Sequence, residues 1–256
     1  MPPDVKRQNG ITDKTHAKMS GATSMTILRC CLLILVPASV VHAQDRVLGL
    51  LTLPEVFGAG PCDKFTPAEI PVFAEPDGRQ TIGSIRVATT STFPPDGGCA
   101  GLTVNVYSNG RSLGELPTRE HEYEAPAAIV VGQRGQSFKV RLPTGAGWIR
   151  ASKRDEFRSL QQLVKDGLAH VTDSATGELR SAPGGADTLL RERARDNQAV
   201  RVVRFRQLKD VLWIEVELLR ESPCISPDDQ KVVARGWMPA HAASGEPTIW
   251  FHSRGC

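Results

Sequence analysis

The run Phe138-Lys139-Val140-Arg141-Leu142-Pro143-Thr144-Gly145-Ala146-Gly147-Trp148-Ile149 constrains this chain more than any other stretch. Phe138, Val140 and Leu142 alternate with Lys139 and Arg141, giving a strand one apolar and one charged face. Pro143 fixes its own φ and Gly145 is free to take a positive one, so together they mark a tight turn. Gly147-Trp148-Ile149 then opens a returning strand on a large aromatic residue. Short β-branched runs punctuated by many of the 23 Gly and 18 Pro surround this hairpin, so the expected class is all-β.

The pattern returns in the second half. Val200 to Phe205 alternates, turns near Lys209-Asp210, and comes back as Val211-Leu212-Trp213-Ile214-Glu215-Val216-Glu217-Leu218. Gly236-Trp237-Met238 then repeats Gly147-Trp148-Ile149, and Thr248 to His252 supplies a closing strand. This internal echo predicts two similar units.

Strand, short Pro/Gly turn and returning Gly-Trp-aliphatic strand resemble the closing hairpin of bacterial SH3-like (SH3b-type) domains. There the run reads roughly Trp-x-Lys-Val, a turn, then Gly-Trp-Val. Trp213-Ile214-Glu215-Val216 fills the Trp-x-x-Val part, while Ser137 takes the Trp position in the first copy. Ile70 to Arg79, ending in Pro76-Asp77-Gly78, resembles the opening of such modules, and 88–119 reads as an insertion. The resemblance implies tandem SH3-like β-barrels over 44–152 and 169–256, with Trp148, Trp213 and Trp237 as structural anchors. It also implies a binding role, toward cell-wall peptidoglycan or an envelope protein. The aromatic Ala-Leu-Tyr-Asp-Tyr run of polyproline-binding SH3 domains is absent.

Between the units, 153–168 is predicted to be a linker helix, capped by Ser152 and ending near Gly167. Phe157, Leu160, Leu163, Val164 and Leu168 give it an apolar stripe at three- and four-residue steps.

The amino terminus carries a different message. Residues 1–24 are polar and aperiodic, and read as a non-native or disordered extension before a start at Met25. Residues 25–43 show one charge at Arg29, the apolar run Cys30 to Val36, and a small-residue end at Val41-His42-Ala43. That is the layout of a signal peptide, with cleavage expected after Ala43 and a periplasmic or secreted destination. The apolar run is about half of the ~20 residues a membrane span needs, and the mature chain offers no stable membrane span. Without Lys6, Arg7, Lys14, Lys18 and Arg29, the Lys plus Arg total falls from 31 to 26. Loss of Asp4 and Asp13 takes Asp plus Glu from 28 to 26. A neutral exported chain carries no overall footprint for nucleic acid. The basic run Arg191 to Arg206 is broken by Glu192 and Asp196 and reads as a solvated face.

Cys62, Cys99, Cys224 and Cys256 remain after the leader, an even count that reads as disulfides in an exported chain. Each half holds two, so Cys62–Cys99 and Cys224–Cys256 are the expected staples. His241 and His252 beside the second pair lack the short spacing of zinc ligands, so no metal and no cofactor is expected. The Gly-x-Ser-x-Gly, Ser-x-x-Lys and His-Glu-x-x-His motifs are all missing, and no catalytic residue is assigned. Glu120, Glu122 and Glu124 alternate along one strand face, which reads as solvated. Glu120, Glu122 and His121 are the least implausible residues for an envelope hydrolase, the alternative to a binder. Tyr123, Trp250 and Phe251 are the aromatics outside the hairpin pattern, and are the candidate ligand-binding residues.

Overall fold

The computed structural model describes residues 45–57, 68–88, 103–123, 125–153, 155–165, 167–185, 189–226 and 230–254. Strand dominates, in two sheets, and the described residues fall in one compact unit. The first sheet holds β1 (Gly49–Leu51), β2 (Ile70–Phe73), β3 (Thr81–Val87), β4 (Val104–Ser108) and β5 (Arg111–Glu115). It continues with β6 (Thr118–Glu122), β7 (Ala125–Arg134), β8 (Ser137–Leu142), β9 (Gly145–Arg150) and β10 (Phe157–Ser159). Its order is β10-β1-β7-β8-β9-β2-β3-β4-β5, with β6 paired to β7, and it curls into a half-barrel. The second sheet holds β11 (Ala169–Val171), β12 (Glu178–Arg180), β13 (Leu189–Arg193), β14 (Ala199–Leu208), β15 (Val211–Leu219), β16 (Val232–Pro239) and β17 (Ile249–Phe251). Its order is β13-β12-β16-β15-β14-β11-β17.

All-β architecture therefore holds, at a larger scale than small five-stranded barrels, because the units share apolar surface. Leu51, Val72, Ile85, Val106, Val130, Val140 and Ile149 fill the inside of the curl. Val47, Leu50, Ile129 and Val131 belong instead to a second core, with Val171, Ile214, Val216, Leu218 and Met238 from the other sheet. Neighbouring residues of β1 and β7 thus enter different cores, so both strands are covered on both faces. That is why Ala128-Ile129-Val130-Val131 is apolar without a break. The chain near the amino end is fastened to the far end: Val47 N donates to Gly245 O at 3.0 Å, and His241 Nε2 lies 2.7 Å from Val47 O.

Three expectations are corrected. The helix expected over 153–168 is only α2 (Leu160–Lys165), preceded by β10. Residues 157–159 find ladder partners in β1, with Gly49 opposite Ser159, and Phe157 stacks on Phe138 with 5.1 Å between centroids. Ser159, not Ser152, is the N-cap: its N donates to Gln162 Oε1 at 2.8 Å and Gln162 N returns to Ser159 Oγ at 3.3 Å. Ser152 N does bond Asp155 Oδ2, at 2.8 Å, but that pair closes a turn. Within 88–119, read as an insertion, β4 and β5 extend the sheet, and Val104, Val106 and Leu116 are fully buried.

The third correction concerns Trp148. In β9 the residues pointing into the curl are Gly147 and Ile149, and Trp148 lies half-buried on the outer face. A Cβ on Gly147 would stand 2.4 Å from Val72 Cγ1, so the strand approaches β2 too closely for a side chain there. Trp148 rests across Gly132, beside Lys139, its cross-strand partner. Trp237 has the same orientation in β16: Met238 enters the core, and Trp237 faces away from it beside Glu215. Trp213 and Trp237 are nevertheless buried, at 6% and 4% exposure. Cys62, Cys99 and Cys256 lie outside the described residues, as do Glu124 and residues 1–44. Cys224, on the exposed loop after β15, is not a free thiol.

Candidate functional site at the junction of the two sheets

Strand β6 leaves the first sheet beside β11 and β17 of the second, and a hollow of about 370 Å³ opens between them. Arg119 and Glu120 come from β6, His170 from β11, Trp250 and Phe251 from β17, and His252, Ser253 and Arg254 from the segment after it. A second hollow of about 400 Å³ shares Phe251 and adds His121, Glu156, Phe157, Arg158 and Gln162. Together they form a groove on either side of Phe251.

The three aromatics singled out in the sequence converge here, in unequal roles. Trp250 and Phe251 are buried to 6% and 8% exposure, pack at 5.3 Å between centroids, and join the shared core. They are floor and wall. Tyr123 is 65% exposed and stands at the rim, with the Arg254 guanidinium 5.2 Å from its ring centre. Arg119 lies 4.7 Å over the Trp250 ring and also faces Glu246 across 3.5 Å.

The acidic residues of β6 are held as counter-ions. Arg254 clasps both carboxylate oxygens of Glu120, its Nε at 2.9 Å from Oε2, and Ser253 Oγ donates at 3.0 Å. The Arg254 and Ser253 hydrogen bonds lower the Glu120 pKa to about 2. Glu122 faces Arg158 at 3.1 Å, and His121 Nδ1 lies 3.1 Å from Ala125 O. A carboxylate fixed in its ionised form by a bidentate arginine neither donates a proton near neutral pH nor accepts one readily. Glu120, Glu122 and His121 thus form no acid–base pair.

Sequence reading passed over the histidine stack. His170 and His252 lie with ring centres 4.5 Å apart at a tilt of 40°. Burial lowers the His170 pKa, helped by His252 and Arg119 and opposed by Asp196, so the imidazole is neutral at pH 7. Its Nδ1 is buried without a hydrogen-bond partner among the described residues. A buried unpartnered nitrogen costs free energy that a ligand's polar group can recover. The two histidines are 82 residues apart in sequence and meet only because β11 pairs with β17, so no local spacing announces them.

No family model, curated protein or solved structure matches this chain. The assignment therefore rests on the groove. Among the described residues, no group of three or more His, Cys, Asp or Glu side chains is placed to hold a metal ion. None of their helices is long and apolar enough to cross a membrane. A further hollow, about 550 Å³ and lined by Glu69, Pro71, Arg86 and Tyr107 among others, belongs to the first sheet alone. It brings together fewer titratable and aromatic groups than the junction.

Proposed function

We propose that this chain is a non-catalytic, exported binding module whose junction groove takes a segment of cell-wall peptidoglycan. In this reading the leader is removed after Ala43, the cysteines pair within each half, and the repeated Gly-Trp hairpins are SH3-like in kind. The single observation that carries it is the composition of the groove. Buried aromatics form its floor, an exposed Tyr123 its rim, Arg119 a cation above Trp250, and His170 Nδ1 an unsatisfied polar group. Concave sites with apolar walls and few convergent polar groups suit a ligand such as an amino sugar bearing a short peptide. The hydrolase alternative is weaker, because the acids beside His121 are spent on Arg254 and Arg158.

The test is co-sedimentation of the secreted chain with purified peptidoglycan, alongside a hydrolysis assay on the same material. Expected are pelleting of the wild type, at least tenfold weaker pelleting of Arg119→Ala/Tyr123→Ala, and no release of soluble fragments. Failure of the wild type to pellet, or equal pelleting of the double variant, overturns the reading. Capture of an envelope protein at the same groove would replace peptidoglycan as the partner.

A further inference from the structure

The outer face of the second sheet carries a layer of arginines over a tryptophan floor. Strand pairing puts Arg201 opposite Glu217, Arg204 opposite Glu215 and Arg206 opposite Trp213, all on the face away from the shared core. Across β15, Arg235 lies opposite Glu217 and Trp237 opposite Glu215, and Arg180 of β12 lies opposite Trp237. Arg204 stands 5.1 Å over the Trp237 ring and Arg180 5.6 Å over that of Trp213. The guanidiniums thus cover the two tryptophans that the core does not.

The acids lie beneath the arginines. The carboxylate side chains of Glu215 and Glu217 are 9% and 17% exposed, against 64% for Arg204, 51% for Arg235 and 49% for Arg201. Arg204 and Arg235 converge on Glu215, one on each of its oxygens. Arg201 donates to Glu217 at 3.0 Å and to Gln230 at 2.7 Å, and Arg206 makes no ion pair among the described residues. Five arginines thus stand against two acids, and the acids are submerged. At the far edge Glu178 lies opposite Arg193, which adds no net charge. Since the chain without its leader is neutral overall, this excess is local.

We infer that this face is a docking surface for a linear phosphodiester polymer lying along β14. Arg201, Arg204 and Arg206 form a row roughly 16 Å long at ordinary strand rise, which matches repeating charge better than a single anion. The paired guanidiniums of Arg204 and Arg235, splayed over one buried carboxylate, offer a cradle for a tetrahedral phosphate. The row follows one strand, which suits a line of charges rather than the plane of an anionic bilayer. This surface is separate from the junction groove and independent of what binds there.

The experiment is titration of the secreted chain with poly(glycerol phosphate) at several salt concentrations. Phosphatidylglycerol vesicles and polyglutamate run as parallel arms. The polymer is expected to bind with an affinity that falls steeply with salt. Arg201→Gln/Arg206→Gln should bind at least tenfold more weakly and flatten the log–log salt slope by about 1.4, at about 0.7 per lost phosphate contact. Its melting temperature should match the wild type; should it not, Arg206→Gln alone is expected to flatten the slope by about 0.7. Absence of polymer binding, equal binding by the variants, or preference for vesicles or polyglutamate would each overturn the proposal.

Discussion

Replacing Ile149 and Trp148 in turn by alanine separates two accounts of what holds the first sheet together. Ile149 is fully buried inside the curl, among Val72, Ile85, Val140 and other residues with almost no exposure. Alanine removes three carbons, roughly 2.4 kcal/mol of transfer free energy at about 0.8 kcal/mol each, and leaves a cavity lined by strands that relax only partly. The expected loss is about 3–4 kcal/mol, or roughly 8–14 °C in melting temperature for a chain of this size. Trp148 is larger but half-buried on the outer face, where it covers Gly132 and the stem of Lys139. Its removal exposes backbone without opening a cavity, and should cost about 1–1.5 kcal/mol, roughly 3–5 °C. Thermal melts by near-ultraviolet circular dichroism at pH 7.5 measure both. A greater loss for Trp148→Ala than for Ile149→Ala would refute the side-chain directions described for β9.

Two further outcomes depend on pH. Burial, with Glu55 nearby, raises the Asp155 pKa to about 6 from an ordinary 3.8, so the folded state favours its proton. Its contribution is whole below pH 3.8 and is lost as pH rises through 6. Asp155→Asn should therefore raise the melting temperature at pH 7.5 and leave it nearly unchanged at pH 4; equal shifts at both would refute the burial argument. The lowered pKa of His170 has the opposite sign: stability is whole above about 6.5 and is lost as pH falls below it, with His241 acting in the same direction. His170→Gln should show a smaller drop in melting temperature between pH 7.5 and 5.5 than the wild type, and an unchanged drop would count against the buried neutral imidazole.

Hairpins were legible because a two-residue period and Pro/Gly turns are local signals. The strands around Pro143-Thr144 and around Lys209-Asp210 lie where alternation places them. The short helix was legible only in its stripe. Two capping patterns compete, Ser152-x-x-Asp155 and Ser159-x-x-Gln162, and tertiary pairing of 157–159 with β1 chooses the second. The direction of Trp148 was not legible, since Gly147 and Ile149 share one face of the strand and Trp148 lies on the other, and alternation alone allows either face to be buried. Only the closeness of Val72 to Gly147 decides it. At the junction, Trp250 and Phe251 were visible as unassigned aromatics, whereas the His170–His252 stack depends on the pairing of β11 with β17, the first and last strands of the second sheet in chain order. The arginine layer was visible as a basic run, but its submerged acids come from β15, and composition along one strand cannot show that.

The tie between Val47 and the segment around 241–245 has a consequence for how the protein comes into being. A polypeptide that emerges from a ribosome or a translocation pore does so amino end first. β1 is then available long before its partners, which lie at residues 128–130 and 157–159, with the anchor on Val47 arriving 194 residues after it. Leu51 enters a core whose buried members all lie at or before Ile149, whereas Leu50 belongs to the core that is finished only by Ile249 to Phe251. Such distant contacts are closed late and slowly, so a nascent chain paused before residue 240 has the ladder partners of its first strand but leaves Val47 untied and the Leu50 face of that strand open to chaperones and proteases.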